Sequence, residues 1–333
     1  MKSVSILVPE TGVIEAVADP HYMFSAVNNF LLAAGKEPLF DIQLVGLTKT
    51  VILNNCLFTV SVNKLISEID KTDLIFIPAI SGDIDTALNL NKGFISWIVK
   101  QYHSGAEVAS LCMGAFLLAS TGLINGKKCS THWNAANQFR IRFPEVELVD
   151  EKLVTEENGI YSSGGANSYW SLLLHLVEKY TDRETAILAS KYFVVDIDKN
   201  CQSSFAIFKG QKEHNDEAVK DIQDFIEKNI AQKITVDVLA CKVAVGRRSF
   251  ERRFKSATHN SVLTYIQRVK IEAAKRSFES SRKNINEVMY EVGYSDTKAF
   301  RKTFKKITGL TPVEYRNKYN KLSKRNRYDY SDN

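Results

Sequence analysis

The stretch Ser110-Leu111-Cys112-Met113-Gly114-Ala115 sets a cysteine between a short apolar run and a helix-forming one. A thiol at such a turn stands on a strained backbone beside free helix N–H groups, the layout of a nucleophile elbow, and the helix dipole there favours the thiolate. His132 follows twenty residues later, in Thr131-His132-Trp133, at the end of the next expected strand. Neighbouring parallel strands would bring both to one sheet edge, where ligands bind in such folds. A working Cys–His pair also needs an orienting acid or amide. Two residues after His132 stands Asn134 and not an acid, so the set reads as incomplete and no catalytic residue is assigned. On the plainer reading Cys112 is a small buried hydrophobe and His132 a structural histidine. His175, Trp133 and Trp170 read as packing residues, although an aromatic cage would suit a cationic amine.

A second group of residues carries charge. In 247–255, Phe250 and Phe254 share one side of a helix, while Arg248, Glu251, Arg252 and Lys255 lie about 130° away at about 100° per residue. In 296–306, Phe300 and Phe304 face inward with Ile307 beyond them. Lys298, Arg301, Lys302 and Lys305 face outward, Thr297 opens the helix and Asp296 stands at the N-cap. Each basic helix follows a short apolar one, at 236–243 and 285–292, across a turn with Gly246 or Gly293. This is the order of a helix-turn-helix, whose second helix enters the major groove; arginine there reads guanine and lysine grips phosphate. One basic stripe is an ordinary solvated face. Two, joined by a long helix at 262–279, point to double-stranded DNA. From Asp216 onward the chain has 26 Lys and Arg against 15 Asp and Glu, leaving 18 against 23 before it. A basic module is thus attached to a mildly acidic one.

The elements that must hold these residues follow from periodicity. A length of 333 residues suggests two domains. Over residues 1–195 short apolar strands (4–8, 41–47, 73–79, 107–111, 128–132) alternate with helical stretches (21–34, 93–102, 114–120, 169–180, 183–194), and 153–155 with 160–162 form a hairpin around Asn158-Gly159. The expected fold is α/β, a flavodoxin-like doubly wound parallel sheet. Residues 196–215 read as a linker, 216–318 as an all-α domain with two helix-turn-helix units, and 319–333 as a basic polar tail. No apolar run nears the ~20 residues of a membrane helix and no signal peptide opens the chain, so a cytoplasmic location and no membrane are expected. Five cysteines in no metal-binding spacing imply neither a disulfide framework nor a metal site, and no cofactor is expected.

Two resemblances sharpen this reading. TVDVLACKVAVGRRSFERRFK, YIQRVKIEAAKRSFESS and INEVMYEVGYSDTKAFRKTFKKITGLTPVEYR resemble the DNA-binding domain of AraC/XylS-family transcription regulators over 216–318. Carried over by position, the base-reading residues would be Arg248, Glu251 and Arg252, then Thr297, Lys298, Arg301 and Lys302. Gly246 stands where that family usually has serine. DLIFIPA, SLCMGAFLLASTGLINGKKCSTHW, FPEVELVDEKLV and YSSGGANSYWSLLLHLVEKY resemble the class I glutamine amidotransferase-like superfamily, in its ThiJ/PfpI branch, over about 1–195. Fused to an AraC-type domain, that fold is expected to bind a small-molecule effector beside Glu15, Cys112, His132, Ser163 and Gly164, not to act as an enzyme. The resemblance implies a DNA-binding transcription regulator, more an activator than a repressor, with DNA, the effector, a second copy as homodimer and RNA polymerase as partners. A cysteine-dependent hydrolase or amidase, and a redox sensor using Cys112, are the alternatives.

Overall fold

Leu74–Ile77, an unbroken apolar run, lies in a seven-stranded sheet with all four side chains buried, as a strand covered on both faces requires. The computed structural model describes residues 1–54, 56–196, 203 and 205–320, and falls into two units, Met1–Gln202 and Ser203–Asn333. The first unit has strands β1 (Lys2–Leu7), β2 (Phe40–Gly46), β3 (Thr50–Leu53), β4 (Phe58–Ser61), β5 (Lys64–Leu65), β6 (Leu74–Ile77), β7 (Glu107–Ser110), β8 (Lys128–Cys129), β9 (Glu147–Leu148), β10 (Val154–Glu157) and β11 (Ile160–Ser163). Its helices are α1 (Ile14–Ala33), α2 (Ile84–Leu90), α3 (Gly93–His103), α4 (Ala115–Ser120), α5 (Ala136–Arg142), α6 (Tyr169–Tyr180) and α7 (Arg183–Phe193).

The main sheet runs β10-β11-β7-β6-β1-β2-β5, parallel throughout except for the β10–β11 hairpin. One face packs against α1, α6 and α7 through residues such as Phe24, Leu173 and Ala186. The other packs against α2, α3, α4 and α5 through Ala87, Phe94, Phe116 and Phe139. This is the doubly wound α/β sheet that the strand–helix alternation implies.

Two local expectations fail. The first helix starts at Ile14, not near residue 21, and carries Pro20 within it. A proline forbids the bond to the residue four before it, but the remaining turns bury Ala16, Val17, Met23 and Phe24, and that burial outweighs one lost bond. The strand expected at 128–132 shrinks to β8, which pairs with β9 in a separate two-stranded sheet. The neighbours of β7 are β6 and β11.

The second unit is helical: α8 (Glu217–Lys228), α9 (Val236–Lys242), α10 (Arg247–Thr258), α11 (Val262–Ser280), α12 (Ile285–Glu291), α13 (Thr297–Thr308) and α14 (Pro312–Tyr319). It has two apolar cores, and α11 serves both. Val262, Tyr265, Ile266 and Val269 join Phe250 and Phe254 in the first; Ile271, Ala274 and Phe278 join Phe300 and Phe304 in the second.

Part of the stretch read as a linker packs onto this unit. Phe208 meets the Tyr265 ring edge-on at 5.2 Å, and its N–H donates to Glu272 at 3.1 Å. The Lys275 ammonium donates to the Ala206 carbonyl at 2.6 Å. Residues 197–202 and 204 of that stretch, and 321–333 of the expected tail, lie outside the described residues.

Candidate functional site

Each basic helix is set by a local device. Thr235 and Asn284 cap the short helices α9 and α12, their side chains accepting from Val238 N and from Asn286 N and Glu287 N. The turns then pass through left-handed backbone, at Ala244 with φ 51° and Gly293 with φ 72°. Asp296 caps α13, its carboxylate accepting from Lys298 N at 2.7 Å and Ala299 N at 3.2 Å. Gly246 begins α10 with no side-chain cap. Phe250, Phe254, Phe300 and Phe304 are buried, which fixes the opposite stripes outward.

On those stripes Arg248, Arg252, Lys255, Lys298, Arg301 and Lys302 are exposed, while Glu251 and Thr297 are half-buried. Among the described residues none of those six cations has a carboxylate within 4 Å. Some cations elsewhere in the unit do, Arg253 with Asp216, Lys212 with Asp224 and Glu227, and Lys283 with Glu291, while Lys228, Lys233 and Arg268 among others do not. Arg247 pairs with Asp237 and also donates to Glu251 at 3.4 Å. The six stripe cations are distinguished by position: they lie together on the outer faces of α10 and α13, opposite the buried phenylalanines.

In the first unit Cys112 does occupy an elbow. Its φ is 54°, left-handed for a residue with a Cβ, directly between β7 and α4. A Cβ at Gly114 would stand 2.4 Å from the Ile77 carbonyl oxygen and 2.6 Å from that of Pro78, so only glycine lets the turn pass this close to β6. Cys112 N–H donates to Ser163 Oγ at 3.3 Å, and Thr131 Oγ1 donates to the Cys112 carbonyl at 3.0 Å. The turn bearing His132 thus reaches Cys112 from a loop beyond β8, not from a neighbouring strand of the main sheet.

The electrostatics run against the sequence expectation. Burial pushes the Cys112 thiol up to about 11, more than the hydrogen bond from Met113 N–H lowers it. Burial also lowers the pKa of His132, whose Nδ1 accepts from Asn134 N at 3.1 Å. Desolvation of the 5%-exposed thiol thus opposes the thiolate that the helix terminus favours.

Two residues that the sequence reading passed over join this site. Tyr169 donates its hydroxyl to Asp19 Oδ2 at 2.6 Å. Burial raises the Asp19 carboxyl, the Tyr169 hydroxyl opposes that, and the Glu15 charge adds to it. The Tyr169 hydroxyl is itself raised by burial, by Asp19 and by the charges of Glu15 and Cys112, which places those three groups within electrostatic reach of Tyr169. Glu15 is exposed on the first turn of α1, and Gly164 N donates to the Leu153 carbonyl at 2.8 Å. Asp19 follows Glu15 by one helical turn, a signal hidden by starting the helix after Pro20. Among the described residues no group of three His, Cys, Asp or Glu side chains could hold a metal ion, and no helix is long and apolar enough to cross a membrane.

Residues 30–179 match the DJ-1/PfpI family, and residues 239–318 match a helix-turn-helix domain family. The chain joins a DJ-1/PfpI domain to an AraC-type helix-turn-helix domain. It is 26% identical over 238 residues to the HTH-type transcriptional regulator GbdR of Pseudomonas aeruginosa, covering 71% of this chain and 65% of that one. It is 22% identical over 216 residues to the HTH-type transcriptional regulator GlxA of Rhizobium meliloti, covering 64% and 65%. The chain therefore spans just under two-thirds of the length of these relatives. Among solved structures, the DJ-1/PfpI domain shares its fold with a protein from Vibrio parahaemolyticus (TM-score 0.52, 21% identity, 57% of this chain and 98% of that one). It shares it also with a ThiJ/PfpI family protein from Pseudomonas syringae (TM-score 0.50, 16% identity, 60% and 76%).

Proposed function

We propose that this protein is a sequence-specific DNA-binding transcription regulator whose DJ-1/PfpI domain senses a small molecule. The observation that carries the reading is the set of unpaired cations on the outer faces of α10 and α13. Arg248, Glu251, Arg252 and Lys255 would read or grip one stretch of major groove, and Thr297, Lys298, Arg301 and Lys302 the next. The relatives' names as HTH-type transcriptional regulators support it. The test is binding to the DNA upstream of the protein's own gene across a salt series. Sequence-dependent, salt-sensitive binding that Arg252→Ala with Lys302→Ala abolishes is the expected result; weak binding indifferent to sequence and to both changes would sink the proposal.

The effector site is assigned to Cys112, Ser163, Gly164 and His132 on one side and Glu15, Asp19 and Tyr169 on the other. No catalytic role is assigned to it. A buried, protonated thiol is a weak nucleophile and a slow target for peroxide, so burial of Cys112 speaks against both the hydrolase and the redox sensor. A homodimer through the first unit completes the proposal. Tyr192 of α7 and Tyr22 of α1, hydroxyl to hydroxyl at 3.1 Å, are both more than half exposed, and Leu188 and Leu32 are exposed on the same two helices. Sedimentation of the intact chain tests it. RNA polymerase is the partner that activation requires, and a reporter gene decides the sign.

A further inference from the structure

Lys270 is a cation buried without an anion. It lies near the middle of α11, 6% exposed, and among the described residues no carboxylate stands within 4 Å of its ammonium. A buried ammonium is costly unless its donors are satisfied. Its Nζ donates to the Gln232 carbonyl at 3.1 Å and to the Gly293 carbonyl at 3.2 Å, and stands 5.7 Å from the centre of the Tyr294 ring. Those carbonyls belong to different reading units. Gln232 is in the loop that enters α9, and Gly293 is the turn between α12 and α13. Gly293 shows how near the two approach: a Cβ there would stand 2.5 Å from the Ala231 carbonyl oxygen and 2.6 Å from Lys270 Nζ. The apolar cores do not supply this junction, since Val269 belongs to the first and Ile271 to the second. Two backbone carbonyls facing one gap would repel, and the ammonium between them turns that repulsion into attraction.

We infer that Lys270 is a positioning residue that fixes the spacing and angle between α10 and α13, and with them the separation of DNA elements that one chain reads at once. The inference rests on the DNA-reading proposal for its consequence and on the junction for its geometry. The full chain is tested as Lys270→Met, which keeps the apolar stem and removes the donors, with Lys270→Gln as the second variant should the first fail to fold. Nitroxides on unnatural side chains at exposed Ser256 and Lys306 report the distance between the helices without DNA. A narrow distribution in the parent that broadens in the variant is expected. On DNA, one base pair inserted between the two elements should weaken the parent by about tenfold or more and the variant by about threefold or less. A folded variant with an unchanged distance distribution, or with the parent's spacing penalty and only a lower Tm, overturns the inference. Should the parent bind no sequence specifically, the regulator proposal fails instead, and the nitroxide distances alone decide the role of Lys270.

Discussion

Thr258 and Thr308 do the same work fifty residues apart. Each is buried at the end of a basic helix, donates to the carbonyl of a phenylalanine one turn earlier (Phe254 or Phe304, both at 2.8 Å), and bonds the backbone two residues on. The equivalence extends through Phe250 and Phe300, Arg252 and Lys302, Ser261 and Thr311. The helical domain is thus one helix-turn-helix device built twice.

Replacing either threonine with valine keeps the volume and leaves the Asn260 or Leu310 N–H without its acceptor. Each change should destabilise the helical domain by about 1–2 kcal/mol, read as a lower urea midpoint. The two hydroxyls share no partner and serve separate cores, so the double variant should equal the sum within about 0.5 kcal/mol. A double variant no weaker than either single one would contradict the two-core description.

Gly114→Ala should destabilise the DJ-1/PfpI domain by about 1–3 kcal/mol, because the new methyl meets two backbone carbonyls of β6 and its exit. Hydrogen exchange should show the loss there and leave α8 to α14 unchanged. Equal loss in both units would mean that they unfold together.

Cys112 gives the first unit a pH dependence of known sign. Its folded pKa, about 11, lies above the free-thiol value, so the unfolded chain loses the proton first. This stabilisation is fully present below the unfolded pKa of about 8.5 and is lost as pH climbs through the folded one. The denaturation midpoint should fall over that window, less steeply in Cys112→Ala. Burial pushes Cys129 up to about 12, so it adds to the same decline, and the double variant should flatten it further below about pH 10, above which the raised Tyr161, Tyr169 and Tyr180 hydroxyls add a decline of their own. A rapid alkylation of Cys112 at pH 7 would contradict the assignment.

Arg252→Ala should cost about 1–3 kcal/mol on the best DNA site and relax preference at one position, if its guanidinium reads a base. Lys302→Ala should weaken all sequences alike and lower the salt slope by about one, if its ammonium grips phosphate. Titrations at several salt concentrations separate the two outcomes.

The helical domain was legible almost residue by residue. Its strongest signals are local: the N-cap at Asp296, apolar stripes at helical spacing, and paired turns. The central strands were legible because β1, β6 and β7 are buried on both faces and read as apolar runs. The elbow at Cys112 was legible as a turn, but its protonation state was not. A dipole is a property of one helix, whereas desolvation depends on every element packed around the thiol. The route of His132 to Cys112 was missed for a similar reason: β8 is two residues long, and its pairing with β9 is decided by tertiary contacts. Asp19 escaped because Pro20 hid the helix that places it one turn after Glu15. The polar stretch before α8 hid Phe208, whose partners on α11 lie far along the chain.

The duplicated reader has a consequence for the DNA. Glu251 in the first copy corresponds to Arg301 in the second, and Arg248 to Lys298, so on the proposed reading the two copies would not ask for the same bases. A reader formed by two identical subunits suits a palindrome, which looks alike from either end. On the proposed reading, one chain with two unlike readers joined along α11 would meet its own stretch of DNA in one orientation. That stretch would have a direction, and in a dimer the order of two such stretches, inverted or repeated, would follow from how the copies are joined.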